Sequence, residues 1–164
     1  VAILGALSTM GTNEVAGDYT AFTYSGHGGT SGGAYFICPE ECYYIEDMIT
    51  DDEMNVYFNA YQSTHNLAFF DSCNSGGLTM AVELCIMAAA ANQYSWDGQP
   101  DIANGVWTYF FWEYGYRLGN AGSTVLETVF AYAKPLASDY VATNYPGYTM
   151  TPQIDDGCTG SFYL

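Results

Sequence analysis

Residues 67–77 read LAFFDSCNSGG, an apolar run that ends in a polar turn containing two glycines. Residues 23–29, TYSGHGG, have the same form, because an aromatic stretch again leads directly into a glycine-containing turn. Short runs of this composition, bounded by glycine and polar residues, are typical of β-strands. We therefore predict two strands, over residues 19–24 and 67–70, each ending in a turn that can present a polar side chain.

Outside these two stretches, apolar spacing predicts alternating helices and strands. The predicted helices cover residues 3–10, 51–62, 106–116 and 124–134, and the further predicted strands cover residues 34–37, 43–45 and 84–90. The strand over residues 84–90 is apolar throughout, the pattern of a strand with parallel neighbours and with both faces covered. This order predicts an α/β layer sandwich, in which ligands bind beyond the carboxyl ends of the strands.

The ends of several helices are predicted from caps and breakers. Gly11 is expected to end the first helix, and Pro135 the last, because proline lacks the backbone N–H that a helix interior needs. Thr50 and Thr124 each precede a glutamate by three residues, which is the spacing of a capping box. Both threonines are therefore expected to begin helices.

The composition describes one acidic domain over residues 1–164. Apolar residues make up 49% of the chain and charged residues only 12%, so the chain can bury a core. Eighteen carboxylates face two basic residues, and the formal net charge is -16. Such a surface repels nucleic acid, which we exclude as a partner, and attracts cationic peptides, polyamines or calcium.

Apolar runs and cysteines both bear on the compartment. No apolar run reaches the ~20 residues that span a bilayer, and the start of the chain lacks a signal-peptide pattern. The location stays open, with an extracellular or cell-surface position favoured. Five cysteines are an odd number, so at least one stays free or pairs outside the chain in an oxidising compartment. Cys38 and Cys42 are expected to form a loop staple or to remain two free thiols, not a metal site.

His27 and Cys73 lie in the two turns and form the candidate catalytic pair. Cysteine chemistry needs a thiolate, a group that exchanges a proton near neutral pH, and donors for a developing oxyanion. The two side chains supply the first two requirements, and the N–H groups of Gly28 and Cys73 are the natural oxyanion donors. Either residue alone would be interpreted as structural, but packing does not readily explain two such strand-end motifs. The other histidine, His65, is predicted to be a solvated loop residue.

These two motifs resemble the His-Gly and Asp-x-Cys strand ends of clan CD cysteine peptidases, which include metacaspases, bacterial and archaeal caspase-like proteins and the legumain branch. Three downstream segments resemble the same group. They are AAAANQYSWD (residues 88–97), NGVWTYFFWE (104–113) and TPQIDDGCTG (151–160), which correspond to its specificity-pocket strand and loop, its following helix and its closing segment. The resemblance covers nearly the whole chain and implies a three-layer caspase-like sandwich with a mainly parallel sheet.

Site roles follow from the resemblance. Cys73 would attack the scissile carbonyl, His27 would protonate the leaving amine, and no third member of a triad is evident. Asp71, two residues before the cysteine, would line the primary specificity pocket of members that cut after arginine or lysine. Its alternative role is to accept hydrogen bonds from backbone N–H groups in the turn. The substrate-binding residues implied are Asp71, Ser72, Asn92, Ser95, Trp96 and Asp97.

The chain departs from the family pattern in two ways. Family domains begin with a strand, a helix and a strand ahead of the helix that opens this chain, so the domain is interpreted as N-terminally incomplete. The expected partners are therefore an N-terminal fragment of the same precursor or neighbouring subunits, besides a peptide or protein substrate. Caspases proper need a pocket arginine to cut after aspartate, whereas the one arginine here, Arg117, falls on a predicted helix, which disfavours that specificity.

The sequence thus predicts a cysteine endopeptidase that cuts after arginine or lysine, with asparagine specificity of the legumain kind as the nearest variant. The alternative is a non-catalytic caspase-like assembly or filament protein whose catalytic motifs are idle. We expect no bound cofactor and no metal site. Calcium activation, which is frequent among metacaspase-like proteins, could draw on the carboxylates at residues 51–53 or 154–157, although neither segment has the spacing of a known calcium loop.

Overall fold

The structure is a computed structural model that describes residues 2–40, 42 and 44–164. Its larger sheet has the strand order β1-β5-β6-β7. The strands are β1 (Tyr19–Ser25), β5 (His65–Asp71), β6 (Leu84–Met87) and β7 (Gln153–Asp156). The first three run parallel, whereas β7 is antiparallel to β6. The prediction that the strand over residues 84–90 has parallel neighbours is therefore confirmed for β5 and wrong for β7.

A smaller antiparallel sheet has the order β2-β3-β4, with β2 (Gly28–Ser31), β3 (Ala34–Ile37) and β4 (Ile49–Thr50). The strand predicted over residues 34–37 is confirmed as β3, which pairs with β2 and β4, whereas the one predicted over residues 43–45 is wrong for residues 44 and 45. Ile45 instead begins a short 3₁₀ turn, and Tyr43 lies outside the described residues. Strand β2 was missed because a glycine-rich segment has no apolar alternation.

Helices cover both faces of the larger sheet. They are α1 (Ala2–Asn13), α2 (Asp51–Phe58), α3 (Val106–Thr108), which continues as a π-helix over Tyr109–Arg117, and α4 (Leu126–Asn144). Alternate side chains of β5 divide between two cores, because successive side chains in a strand point to opposite faces. Phe69 packs with residues of α3 and α4, whereas Phe70 packs with residues of α1 and α2. The predicted α/β sandwich with a mainly parallel sheet is thus confirmed.

Four predicted helix ends need correction. Helix α4 does not stop at Pro135 but continues to Asn144, because buried side chains lie on both sides of the proline, among them Ala133 and Val141. This continuous buried face outweighs the cost of about 3 kcal/mol for an interior proline. Thr124 does not cap this helix, whose N-cap is Val125 without a side-chain hydrogen bond.

Helix α1 passes through Gly11, which lies against the Tyr61 ring so closely that a Cβ there would sit 2.5 Å from it. Helix α2 ends at Phe58 and not at residue 62, whereas its capping box between Thr50 and Glu53 is confirmed. Within the described part of the chain, none of the helices is both long enough and apolar enough to cross a membrane.

Candidate active site

The two predicted turns meet at one edge of the larger sheet. Strands β1 and β5 are parallel neighbours whose last residues, Ser25 and Asp71, are paired in register. The chain therefore reaches His27 two residues after β1 ends and Cys73 two residues after β5 ends. Both side chains line one cleft of about 340 Å³ beyond the carboxyl ends of these strands.

The cleft is lined by nine described residues. They are Ser25, Gly26, His27, Asp71, Cys73, Ser95, Trp96, Asp97 and Gly105. Of the predicted substrate-binding residues, Asp71, Ser95, Trp96 and Asp97 thus lie together. Ser72 and Asn92 do not line the cleft, because Ser72 is only 1% exposed and Asn92 is exposed elsewhere on its loop.

Gly28 lies directly against the cysteine turn. A Cβ at this position would sit 2.7 Å from the carbonyl oxygen of Cys73 and 2.9 Å from Oγ of Ser72. The Cys38 N–H donates to the His27 carbonyl, so the next pair along, Gly28 and Ile37, is a non-hydrogen-bonded pair in the antiparallel ladder. The Gly28 N–H therefore points away from β3, free to serve as an oxyanion donor.

Gly28→Ala is expected to displace the His27 turn from the cysteine turn, because a backbone oxygen cannot yield as a flexible side chain can. Alanine keeps the backbone N–H but moves it out of position, so kcat/KM for the peptide hydrolysis that the sequence predicts should fall at least tenfold; complete loss of one oxyanion donor typically costs about 10²–10³ in rate. The matched control is Gly5→Ala on α1, where an added Cβ has nothing within 4 Å. Equal activity of the two variants in a peptide hydrolysis assay would contradict this role for Gly28.

The cysteine turn is fixed by hydrogen bonds to the loop that follows β6. Asn74 has the left-handed backbone (φ 58), and its N–H donates to the Gln93 carbonyl at 2.8 Å. The Cys73 thiol lies 3.7 Å from the Ser95 carbonyl oxygen. Gln93 in turn accepts from the Thr151 N–H at 2.8 Å, which ties the loop to the closing segment. The loop after β6 therefore holds the cysteine turn through the Asn74 N–H and the Cys73 thiol. Among the described residues, the Cys73 N–H has no acceptor.

Asp71 is buried at the floor of the cleft, with 4% exposure. Its Oδ2 accepts the Thr108 N–H at 2.9 Å and the Thr108 hydroxyl at 2.7 Å, and its Oδ1 accepts the Ser95 hydroxyl. Burial raises the pKa of Asp71, whereas these donors act in the opposite direction. Each carboxylate oxygen can accept two hydrogen bonds, and among the described residues only the Ser95 hydroxyl donates to Oδ1, which leaves one acceptor site on this oxygen.

Both roles considered for Asp71 are compatible with this geometry. Thr108 belongs to α3, whose N-cap, Gly105, has no side chain with which to cap the helix. Asp71 supplies that missing cap, and a Cβ at Gly105 would sit 2.3 Å from its Oδ2. The carboxylate nevertheless lines the cleft, together with Asp97, whose charge also raises the pKa of Asp71.

Aromatic rings flank the cleft on the Trp96 side. Trp96 stacks on Tyr145 with the ring centroids 4.3 Å apart, and Tyr148 lies 4.7 Å away. Tyr94 and Tyr148 are about half exposed. These rings form an apolar platform next to the acidic floor of the cleft.

His65 does not contribute to the cleft. The prediction of a solvated loop residue is wrong, because His65 begins β5, stacks on the Tyr19 ring at 4.8 Å and lies 3.0 Å from Glu83. It stands at the amino end of the strand, opposite to Cys73. The local polarity of QSTHN gave no sign of these contacts, which come from neighbouring strands.

The two cations of the chain also lie away from the cleft. Arg117 pairs with Glu113 at 2.9 Å on the π-helix, and the Lys134 ammonium lies 5.5 Å from the centre of the Phe130 ring. Among the described residues, the cleft therefore has carboxylates and no positive side chain from arginine or lysine.

The five cysteines are free thiols, so Cys38 and Cys42 are not bridged.

One group of possible metal ligands occurs in the described residues: Glu127, Asp156 and Cys158, whose ligand atoms lie within 4.8 Å of one another. Asp156 pairs with Leu84, the first residue of β6, so this group is at the end of the sheet opposite to the cleft. Two of the carboxylates at residues 51–53 are engaged within the fold: Asp51 accepts a hydrogen bond from the Thr79 N–H, and Glu53 completes the capping box of α2.

Comparisons with known proteins place this geometry in context. A family profile for the caspase domain matches residues 2–162. A protein from Geobacter sulfurreducens is similar in structure, with a TM-score of 0.58 and 17% identity over 94% of this chain and 71% of its own. Caspase-1 from Spodoptera frugiperda is also similar, with a TM-score of 0.64 and 15% identity over 98% of this chain and 68% of its own. A search of curated proteins finds no match.

Proposed function

The chain belongs to the caspase-domain family, and on that basis we propose that it is a cysteine endopeptidase that cuts after arginine or lysine. The caspase-like fold that the sequence motifs implied is confirmed by the family match and by the similarity to caspase-1. One observation carries the proposed activity. His27 and Cys73 line the same cleft beyond the carboxyl ends of two adjacent parallel strands.

In the proposed reaction, the Cys73 thiolate attacks the carbonyl carbon of the scissile bond, and the C=O electrons move to oxygen. The N–H groups of Gly28 and Cys73 stabilise this oxyanion. Its collapse breaks the C–N bond, the amine leaves with a proton from His27, and the acyl group stays on sulfur as a thioester. Water then adds to the carbonyl carbon and gives a proton to His27, the C–S bond breaks, and the thiolate is restored.

The acidic floor of the cleft supports the proposed preference for a basic residue before the scissile bond (P1). Asp71 has one free acceptor site on Oδ1, and Asp97 adds a second carboxylate to the lining. Binding of a cation would also favour the ionised form of Asp71, whose pKa burial raises. Recognition of an acidic P1 residue needs a positive group, and both Arg117 and Lys134 lie elsewhere.

Asp71→Asn is expected to reduce selection for basic P1 residues, because a charge-assisted hydrogen bond contributes roughly 1.5–3 kcal/mol. We expect kcat/KM for P1-arginine peptides to fall by about tenfold or more, and that for P1-asparagine peptides to change little. Peptides that differ only at P1 provide the measurement, with calcium and with a chelator. Asp139→Asn on α4 is the control. An unchanged P1 profile would leave Asp71 with its capping role alone.

We also propose that the protein functions with additional strands beside β1. Within the described residues, β1 pairs on one side only, so its other edge presents unpaired backbone groups, and Tyr19 is 56% exposed. Native proteins normally pair or cover such an edge. The expected occupant is a fragment of the same precursor or a neighbouring subunit. This edge is also the observation that favours the alternative, an assembly protein with idle motifs.

Size-exclusion chromatography with light scattering is expected to show a species larger than one chain, because the exposed β1 edge favours strand addition. Mass spectrometry of the same material then identifies the occupant as a precursor fragment or a second copy. A stable, monodisperse single chain with no bound fragment is the result that would refute this proposal.

A further inference from the structure

A second cavity, of about 570 Å³, adjoins the catalytic cleft at the His27 turn. Among the described residues, its lining includes Ile3, Tyr24, Cys38, Glu40 and Met48. It shares Ser25, Gly26 and His27 with the catalytic cleft, so these three residues form a common wall. We refer to this second space as the His27-side cavity.

The proposed reaction fixes which part of a substrate can reach this cavity. The P1 side chain occupies the cleft that contains Asp71, while its carbonyl carbon bonds to the Cys73 sulfur. The leaving amine must lie within hydrogen-bond reach of His27, because it takes its proton from that ring. The residue after the scissile bond (P1′) therefore begins at the wall that the two cavities share.

We propose, on the basis of the function proposed above, that the His27-side cavity is the P1′ subsite and that it selects apolar side chains. A volume of about 570 Å³ accommodates a leucine or a phenylalanine side chain. The enzyme would then prefer bonds between a basic and an apolar residue, with each side chain in its own cavity.

The lining explains the apolar preference. Ile3 from α1 and Met48 from the loop before β4 contribute aliphatic surface. The Tyr24 hydroxyl lies 2.7 Å from the carbonyl oxygens of both His27 and Cys38, so its polar end is occupied and its ring remains for packing.

The polar residues of the lining also favour an apolar P1′ side chain. Burial and the neighbouring Cys42 thiol raise the pKa of Cys38 to about 11, so this thiol is neutral at physiological pH and behaves as a small apolar group. Glu40 is exposed at the rim and repels an acidic P1′ residue. The same two carbonyl contacts of Tyr24 link the cavity wall to the His27 backbone, which keeps the subsite in register with the catalytic pair.

The test uses internally quenched peptides with arginine at P1 and glycine, leucine, phenylalanine or aspartate at P1′. Burial of a whole apolar side chain predicts that leucine and phenylalanine exceed glycine by about tenfold or more in kcat/KM. Aspartate should be the poorest substrate. Equal rates across the four peptides would overturn the assignment of the cavity.

Two variants locate the selection in this cavity. Met48→Lys should remove most of the apolar preference and improve the aspartate peptide, because it introduces a cation. Glu40→Gln, at an exposed position, should leave the fold intact and improve hydrolysis of the aspartate peptide by a few-fold. Val56→Lys is the control, since Val56 is 69% exposed on α2 and should leave the P1′ profile unchanged. A wild-type P1′ profile in both cavity variants would refute the inference.

A P1-arginine acyloxymethyl ketone separates this inference from the function on which it rests, because the probe alkylates a catalytic thiol and has no P1′ amino acid. If Cys73 is labelled in the wild-type protein while the peptides show no P1′ preference, the subsite is wrong and the peptidase stands. If Cys73 is not labelled in the wild-type protein, the peptidase proposal fails, and the subsite fails with it. Labelling together with an apolar P1′ preference that Met48→Lys removes supports both.

Discussion

Cys73→Ala is expected to lower kcat/KM for P1-arginine peptides by roughly 10³-fold or more, because it removes the sulfur atom that forms the thioester in the proposed reaction. The fold should persist. The side chain is half-buried, and among the described residues its one hydrogen-bond contact is the Ser95 carbonyl oxygen at 3.7 Å. A fluorogenic peptide assay, together with thermal unfolding followed by circular dichroism, measures both properties.

Cys158→Ala is the matched control for this experiment. Cys158 is another half-buried thiol, beyond β7 at the opposite end of the sheet, where burial and the nearby Asp156 raise its pKa to about 12. A protonated thiol so far from the cleft should contribute nothing to turnover. Retained peptidase activity in Cys73→Ala, or equal losses in the two variants, would remove Cys73 from the mechanism.

His27→Ala is expected to reduce kcat/KM by about 10²–10⁴-fold, the range in which a positioned acid or base contributes to catalysis. The loss should be largest for peptides, whose amine must be protonated as it leaves. It should be smaller for ester substrates with the same P1 residue, because an alcohol is a better leaving group. Parallel kinetics on a peptide and an ester provide the measurement.

The other histidine of the chain, His65, provides the matched control for His27→Ala. His65→Ala removes a stacked ring and the 3.0 Å contact with Glu83, so it should lower the free energy of unfolding while kcat/KM stays close to wild type. Activity of His27→Ala that equals that of His65→Ala would contradict the assignment of His27 as the proton donor. An equal loss for peptide and ester would contradict its role at the leaving group.

The strand ends could be predicted from the sequence because their signal is local. An apolar run that stops at a glycine-containing turn indicates a strand whose end is exposed, and β5 before Cys73 follows that pattern. The parallel relation of neighbouring strands then brings two such ends to one edge of the sheet. For this reason His27 and Cys73 could be chosen together before their positions in the fold were known.

The rest of the site depends on contacts that join distant parts of the chain. Thr108 reaches Asp71 across 37 positions, and Gln93 reaches Thr151 across 58, and no local spacing encodes either pair. Gly105 did offer a signal, because a helix that begins at glycine must find its cap elsewhere. The extension of α4 past Pro135 likewise depends on packing against the sheet, which local propensity does not contain.

The most direct test of the central claim is covalent labelling of the native protein with the P1-arginine acyloxymethyl ketone, followed by mass spectrometry of the digested chain. The proposed mechanism predicts one adduct, on Cys73, that a P1-arginine peptide suppresses and a P1-aspartate peptide does not. It also predicts that the other four thiols, among them Cys38 beside His27, remain unlabelled. Absence of the adduct from Cys73, or labelling spread evenly over the five cysteines, would contradict a catalytic pair of His27 and Cys73.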